Sequence, residues 1–281
     1  LMQVEVPERA EFIRVIMAEL NRIASHLLFI GSTALDLGGM TGMLYTFRDR
    51  EYILDMFNLA AGSRLTYSYV RIVGVMNDLS PEFLGLLQKY LAELPGMLQE
   101  YDELINGNEI FQARLKGVSV VPAERLFSLG VTGPVLRAAG VRADLRKTRP
   151  YGIYDRFQFD VPTGTVGDNW ERYMMRVLEI RESAIIITQA LEGLPEGPIM
   201  AKIPKVIKPP AGEVYHANES PRGELGFYIV SDGSTKPYRL HIRRPTFYNL
   251  GSIEELCRGV KIADMPAVLA VLDPCMGEAD A

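Results

Sequence analysis

The chain has 281 residues, 48% of them hydrophobic and 23% charged, the balance of a globular protein with ample material for a core. A formal net charge of −5 argues against a nucleic-acid footprint, which is basic and clustered. Two cysteines, Cys257 and Cys275, exclude a disulfide framework and a Cys-x-x-Cys metal knuckle, and three scattered histidines do not spell a zinc site. No apolar run approaches the roughly 20 residues that span a bilayer, so membrane association is expected to run through partners. A reducing compartment is the default. With Leu1 first, the chain is expected to be a piece of something longer.

Pro7 with Glu8 and Glu11 marks a helix start. Ile13, Ile16, Leu20, Ile23 and Leu27 then recur at intervals of three and four, which predicts a core helix with Arg9, Glu19 and Arg22 elsewhere on its wheel. Gly31 and the pair Gly38-Gly39 are expected to break it, giving a turn from Ser32 to Gly42. A second helix is expected from about Leu44 to Ala61, stopped by Gly62. The run from Leu65 to Val75 reads as a strand or an irregular buried connection. Ser80-Pro81-Glu82 opens a helix to about Ile105, with Pro95 predicting a kink or break. Pro122 to Gly130 reads as a short helix, and Val131 to Tyr154 as an ordered irregular segment with exposed or contacting basic groups. Asp168 and Glu171 have capping-box spacing at the head of a long helix to Glu192, whose solvated side is assigned to Glu179, Arg181 and Glu182. Beyond a proline-rich stretch the pattern changes to two or three short antiparallel strands around Ser231-Asp232-Gly233-Ser234, then helices over Ile253 to Arg258 and Met265 to Leu272. The expected organisation is a helical core (1–194), a linker (195–212) and a small β region with a C-terminal helix (213–281). The fold class is mainly α with small β elements.

Asp36 is the residue the chemistry points to. It is the lone carboxylate in a turn of Leu, Met and glycine, and it reads either as a turn or cap aspartate or as a proton carrier with a pKa raised by apolar surroundings. His26, on the broad core face, is either a satisfied core histidine or the next member of a proton path. Arg64 and Thr66 read equally well as an ion-paired surface arginine and a turn threonine. The hexapeptide Glu219 to Glu224 reads as a loop, and Asp273-Pro274-Cys275 as a helix end with an inert thiol. No Gly-x-Gly-x-x-Gly follows a strand and no Walker loop is present, so neither motif supplies dinucleotide or ATP binding.

Glu8-Arg9-Ala10-Glu11-Phe12-Ile13-Arg14, Asp36-Leu37-Gly38, Phe47-Arg48-Asp49-Arg50-Glu51, Gly62-Ser63-Arg64, Asp144-Leu145-Arg146-Lys147, Pro221-Arg222-Gly223-Glu224 and Asp273-Pro274-Cys275-Met276-Gly277-Glu278, in that order, resemble the hydrogenase-like subunit of respiratory complex I, the NADH:quinone oxidoreductase. That subunit is homologous to the large subunit of nickel–iron hydrogenases. The resemblance implies a hydrogenase-large-subunit-like helical bundle in the peripheral arm, on the cytoplasmic face of the membrane. With a neighbouring iron–sulfur subunit it would form the quinone headgroup cavity. Quinone is then the substrate, the cluster belongs to the neighbour, and further complex I subunits provide contact with the proton-translocating membrane arm. Asp36 inherits a place in the proton-donating chain behind the quinone, with His26 as its expected catalytic companion. Ser32, Arg64 and Thr66 fall on the cofactor side, Arg64 and Thr66 close to the neighbour's cluster.

The departures are specific. Thr66 stands where many members have a histidine, which removes an ionisable group, and Gly42 where the family usually has proline. The histidine and tyrosine that hydrogen-bond the quinone are expected upstream of Leu1, so the isolated chain is expected to be inactive. The alternative is the large subunit of a membrane-bound hydrogenase-like complex. Against it, Cys275 is a single thiolate ligand, and Glu278 occupies the position of the second cysteine in a hydrogenase ending.

Overall fold

The computed structural model describes residues 1–202 and 206–280. Part of the expected linker, residues 203–205, lies outside the described residues. A first helix, α1 (Glu8–Asp36), forms the axis of the molecule. It packs against α2 (Met40–Ala61) on one side and the long α8 (Asn169–Glu192) on another, with α11 (Met265–Leu272) closing a third face. The apolar stripe from Ile13 to Leu27 is wholly buried, as its period requires.

Gly31 does not break α1. The helix continues to Asp36, and only Leu37, Gly38 and Gly39 separate it from α2, which begins at Met40, four residues before the expected start. Gly31 is instead a point of close helix–helix approach. A methyl there would overlap Thr46 Oγ1 and press on the Met43 α-carbon at 3.3 Å. The reversal at Gly38 uses the left-handed region, φ 90°, which glycine adopts without strain.

A small hairpin, β1 (Val70–Arg71) and β2 (Gly74–Val75), accounts for part of the Leu65–Val75 run; the rest is irregular. In α3 (Pro81–Tyr101) the Ser80 hydroxyl accepts from the Phe83 amide at 3.1 Å. Of the kink or break expected at Pro95, there is no break: α3 runs through it and ends in a π turn over Asp102–Asn106. Short helices follow: α4 (Glu109–Leu115), α5 (Ala123–Ser128), α6 (Pro134–Ala138) and α7 (Leu145–Thr148). At α8 the Asp168 carboxylate caps the Glu171 amide at 2.9 Å. Glu171 does not return the bond to Asp168; its own carboxylate takes the amides of Thr165, Val166 and Gly167.

Three antiparallel strands, β3 (Gly212–Ser220), β4 (Gly223–Ser231) and β5 (Arg239–Arg243), form one sheet in that order, and a two-residue turn, Pro221-Arg222, joins the first pair. Helices α9 (Pro245–Leu250) and α10 (Ile253–Leu256) lead to α11, and α12 (Met276–Asp280) ends the described chain. A second apolar cluster joins Leu126, Val131 and Leu136 to Leu256, Val268 and Leu272, which ties the C-terminal helices to α5 and α6. No helix among the described residues is long and apolar enough to cross a membrane.

Because Gly31 is a packing contact, Gly31→Ala is expected to destabilise the chain by about 1–3 kcal/mol, the cost of overfilling a close-packed contact. Thr46→Ala in the same chain should restore part of it. Denaturant unfolding of the two variants checks this.

Candidate functional site: the α1–α2 turn and the buried ion network

Asp36 is the last residue of α1, and it is exposed, so its carboxylate is not a buried acid as its apolar neighbours suggest. The cap reading also fails. The amides of Leu37, Gly38 and Gly39 donate to the carbonyls of Thr33, Leu35 and Ala34, closing the helix end with backbone alone. Among the described residues the Asp36 side chain makes no hydrogen bond or ion pair. No basic residue lies in the last turn of α1, where the carbonyl end of the helix dipole disfavours a negative charge. The carboxylate is thus unpartnered, in an electrostatically poor place, and bordered by exposed Leu35, Met40 and Leu44. Ser32, one turn back, is half-buried and its hydroxyl donates to the Phe29 carbonyl at 3.1 Å. A cleft of ≈ 320 Å³ opens on the other side of the turn, between Leu37–Gly39 and the segment carrying Leu104, Ile110 and Phe111.

His26 does not reach this turn. It lies ten residues earlier, roughly 15 Å along α1, on the buried face. Its Nε2 is 3.0 Å from Glu179 Oε2, and both side chains are wholly buried. Glu179 is therefore not on the solvated side of α8, contrary to its assignment from sequence; its other oxygen accepts from Arg137 at 2.9 and 2.7 Å. Arg137 also donates to Glu219 Oε1 at 2.7 Å. Glu19 accepts from Arg22, Arg146, Tyr154 and Ser183. Arg146 completes the group by clamping Asp144 at 2.7 Å, and the basic groups Arg137 and Arg146 of the irregular segment are therefore internal. Arg9, Glu19 and Arg22 of α1, outside the apolar stripe on the wheel, are buried too.

The electrostatics follow from that geometry. Burial pulls His26 down to about 4; the Glu179 hydrogen bond and charge oppose it, and Arg22 and Arg176 add to it. His26 is therefore neutral, its proton on Nε2 facing Glu179, which leaves Nδ1 an acceptor without a partner. For Glu179 burial works upward, but Arg137, His26 and Arg22 outweigh it and hold the carboxyl below the usual range. Burial likewise raises Asp144, and Arg146 with Arg137 brings it to about 2. Glu219 goes the other way, raised by burial despite Arg137.

A family model for the respiratory-chain NADH dehydrogenase 49 kDa subunit matches residues 36–281. Among curated proteins, a subunit of the NADH-quinone oxidoreductase of Desulforamulus reducens is 56% identical over 281 residues, all of this chain and 77% of the relative. The same-named subunits from Carboxydothermus hydrogenoformans and Clostridium beijerinckii are each 54% identical over 280 residues, covering 77% and 76% of those proteins. The chain belongs to the 49 kDa subunit family.

The quinone oxidoreductase branch is thereby favoured over the hydrogenase-like alternative, and the remaining predicted residues of this 49 kDa-type subunit can be placed. Arg64 is exposed and paired to Glu51 and, at 2.6 Å, to Asp55, both on α2. Thr66 is exposed, with its hydroxyl donating to the Leu65 carbonyl at 2.8 Å and its backbone at φ 52°, a left-handed conformation that a β-branched residue rarely takes. About 17 Å of α2 separates Met40 from Glu51, so Arg64 and Thr66 sit apart from Asp36. The five predicted residues fall in three places: Ser32 and Asp36 at one turn, Arg64 and Thr66 at another, His26 inside. The terminal Asp273 is paired with Arg222 at 3.0 Å and lies 3.8 Å from Arg176. Among the described residues no three His, Cys, Asp or Glu side chains converge as a metal site requires.

Sequence reasoning missed Glu179, Arg137, Glu219 and their partners. A signal was present: Arg172, Arg176, Glu179 and Ser183 recur at helical spacing on α8, as Glu19, Arg22 and His26 do on α1.

An unfolded histidine binds its proton below about pH 6.5, whereas folded His26 does so only near 4. Stability is therefore lost as pH falls across that window, by up to about 3 kcal/mol. Asp144 contributes stability that is present above its unfolded value and lost as pH falls toward 2, a lower window. His26→Gln is expected to flatten the slope of unfolding free energy between pH 6.5 and 4 and to leave the acid limb below 4. Urea unfolding as a function of pH checks it.

Proposed function

We propose that the α1–α2 turn is one wall of the quinone-reduction cavity of an NADH:quinone oxidoreductase, with Asp36 supplying a proton to the reduced headgroup. The observation that carries this reading is the unpartnered Asp36 carboxylate. A folded chain gains nothing from an acid at the carbonyl end of a helix, without cap, cation or hydrogen bond. The exposed Leu35, Met40 and Leu44 around it form an apolar rim that water covers poorly and a partner subunit would cover well.

Reduction of a quinone to a quinol needs two electrons and two protons. This chain's part is one of the two protons: Asp36 O–H donates to one quinone oxygen, the other oxygen takes its proton from solvent or a partner, and the Asp36 carboxylate is reprotonated from the same source. Electrons come from the iron–sulfur cluster of a neighbouring subunit. Arg64 and Thr66 would lie on that subunit's side, where Leu65, Val70 and Ile72 form a second exposed apolar patch. Ser32, on the same turn of α1 as Asp36, would contact the quinone. His26 acts at a distance, fixing α1 through Glu179. The cavity lies at the cytoplasmic face, and the subunit meets the proton-translocating membrane arm through its partners.

In the assembled enzyme Asp36→Asn is expected to lower the kcat for quinone reduction at least tenfold, a typical loss for a positioned proton donor, with subunit and cluster content unchanged. Quinone reductase assays beside iron–sulfur spectroscopy test this, and unaltered turnover would refute the role of Asp36.

A further inference from the structure

The turn that carries Asp36 is backed by a short stretch of unusual helix. Beyond α3 the chain winds as a π turn over Asp102–Asn106, with the Gly107 amide donating to the Asp102 carbonyl, five residues back, at 2.8 Å. The wider turn leaves Leu104 43% exposed while Ile105, the next residue, is 4% exposed. Ile105 is seated in the crotch between α1 and α2. A methyl on Gly42 would lie 2.8 Å from Ile105 Cδ1, 3.0 Å from its Cγ1 and 3.1 Å from the Ala34 β-carbon. A side chain at 42 would therefore require the end of Ile105 to move out of that seat.

Asn106 locks the π turn to the rest of the molecule. Its Nδ2 donates to Asp102 Oδ1 at 2.6 Å, its Oδ1 accepts from the Tyr173 hydroxyl at 2.8 Å, and its carbonyl accepts from Gln112 at 2.6 Å. Asp102 is in turn held by Arg181 of α8 at 3.1 Å. The side chain of Ile105 is therefore presented from a fixed base. Next to it lies the ≈ 320 Å³ cleft, so the turn has open space on that flank.

We propose that Ile105, presented by the π turn and keyed by Asn106, is a positioning residue for Asp36. The wedge lies against Gly42, in the first turn of α2, at the point where Gly42 faces Ala34, two residues before Asp36. It sets where α1 ends and at what angle α2 departs. Catalytic geometry is sensitive on this scale, since a displacement of about 1 Å can cost about a hundredfold in rate. The inference rests on the reading of Asp36 as the proton donor.

The test compares Gly42→Ala, Ile105→Val, the double variant and Asp36→Asn in the assembled enzyme, with kcat and KM for quinone and with cluster content as a control. Gly42→Ala is expected to lower kcat at least fivefold with KM within twofold. The double variant, which removes the nearest atom, should recover kcat to within twofold. Ile105→Val alone should cost about twofold to threefold in kcat, which keeps the test open if Gly42→Ala fails to assemble. With Asp36→Asn inactive, full kcat in Gly42→Ala, a loss that Ile105→Val does not relieve, or unchanged kcat in Ile105→Val alone overturns the positioning role and leaves the reading of Asp36 intact. Full turnover in Asp36→Asn overturns both.

Discussion

The carboxylate of Glu179 accepts from Arg137 on one oxygen and faces His26 on the other, with all three side chains fully buried. Taking such ions out of water costs several kcal/mol each, and an apolar core of the same shape would serve stability as well. What the network supplies is register. On antiparallel α1 and α8 the pairs His26–Glu179 and Glu19–Ser183 are satisfied together. A slip of one turn would strand both glutamates in a low-dielectric interior. Arg137 extends the same constraint to Glu219 at the end of β3, so docking the sheet in a second way would break the buried Arg137–Glu219 pair.

This lock holds the middle of α1 and releases its end. From Gly31 onward the contacts change character, from ion pairs to close apolar approach at Gly31, Ala34 and Gly42. The last turn of α1 is thus a short extension from a rigid shaft, placed by packing that a single methyl group can disturb. A shaft fixed by charge and a tip placed by glycine contacts fit the proposed role of Asp36, which asks for accurate delivery to an apolar edge.

Much of this is readable in the chain. The apolar period of α1, the Ser80 and Asp168 caps and the β3–β4 pair follow from local rules, because each depends on residues within a few positions of one another. Asp36 stands out for its composition alone. What local rules cannot supply is the partner. Glu179 looks solvated because a charged residue on a helix wheel is normally on the wet side, and its partner His26 lies 153 residues away. Gly31 looks like a break because its intrinsic helix propensity is poor. Its use as a contact depends on Thr46, which the chain brings back only after the turn. In the segment from Val131 to Tyr154 local rules leave the basic groups exposed or contacting; Arg137 and Arg146 prove contacting only once α1, α8 and β3 are assembled around them.

The exposure of Asp36 also bears on how the site is divided between chains. A buried acid would carry its own environment, and the subunit alone would then define its chemistry. Here the carboxylate ends at an apolar rim with its hydrogen-bonding capacity unused. On the proposed reading, a partner covering Leu35, Met40 and Leu44 would also set the dielectric around Asp36 and exclude water from it. On that reading, this chain fixes where the proton is delivered. The partner surface that would close over the rim would then fix the environment in which it is given up, and the two halves of the proposed cavity would be coupled.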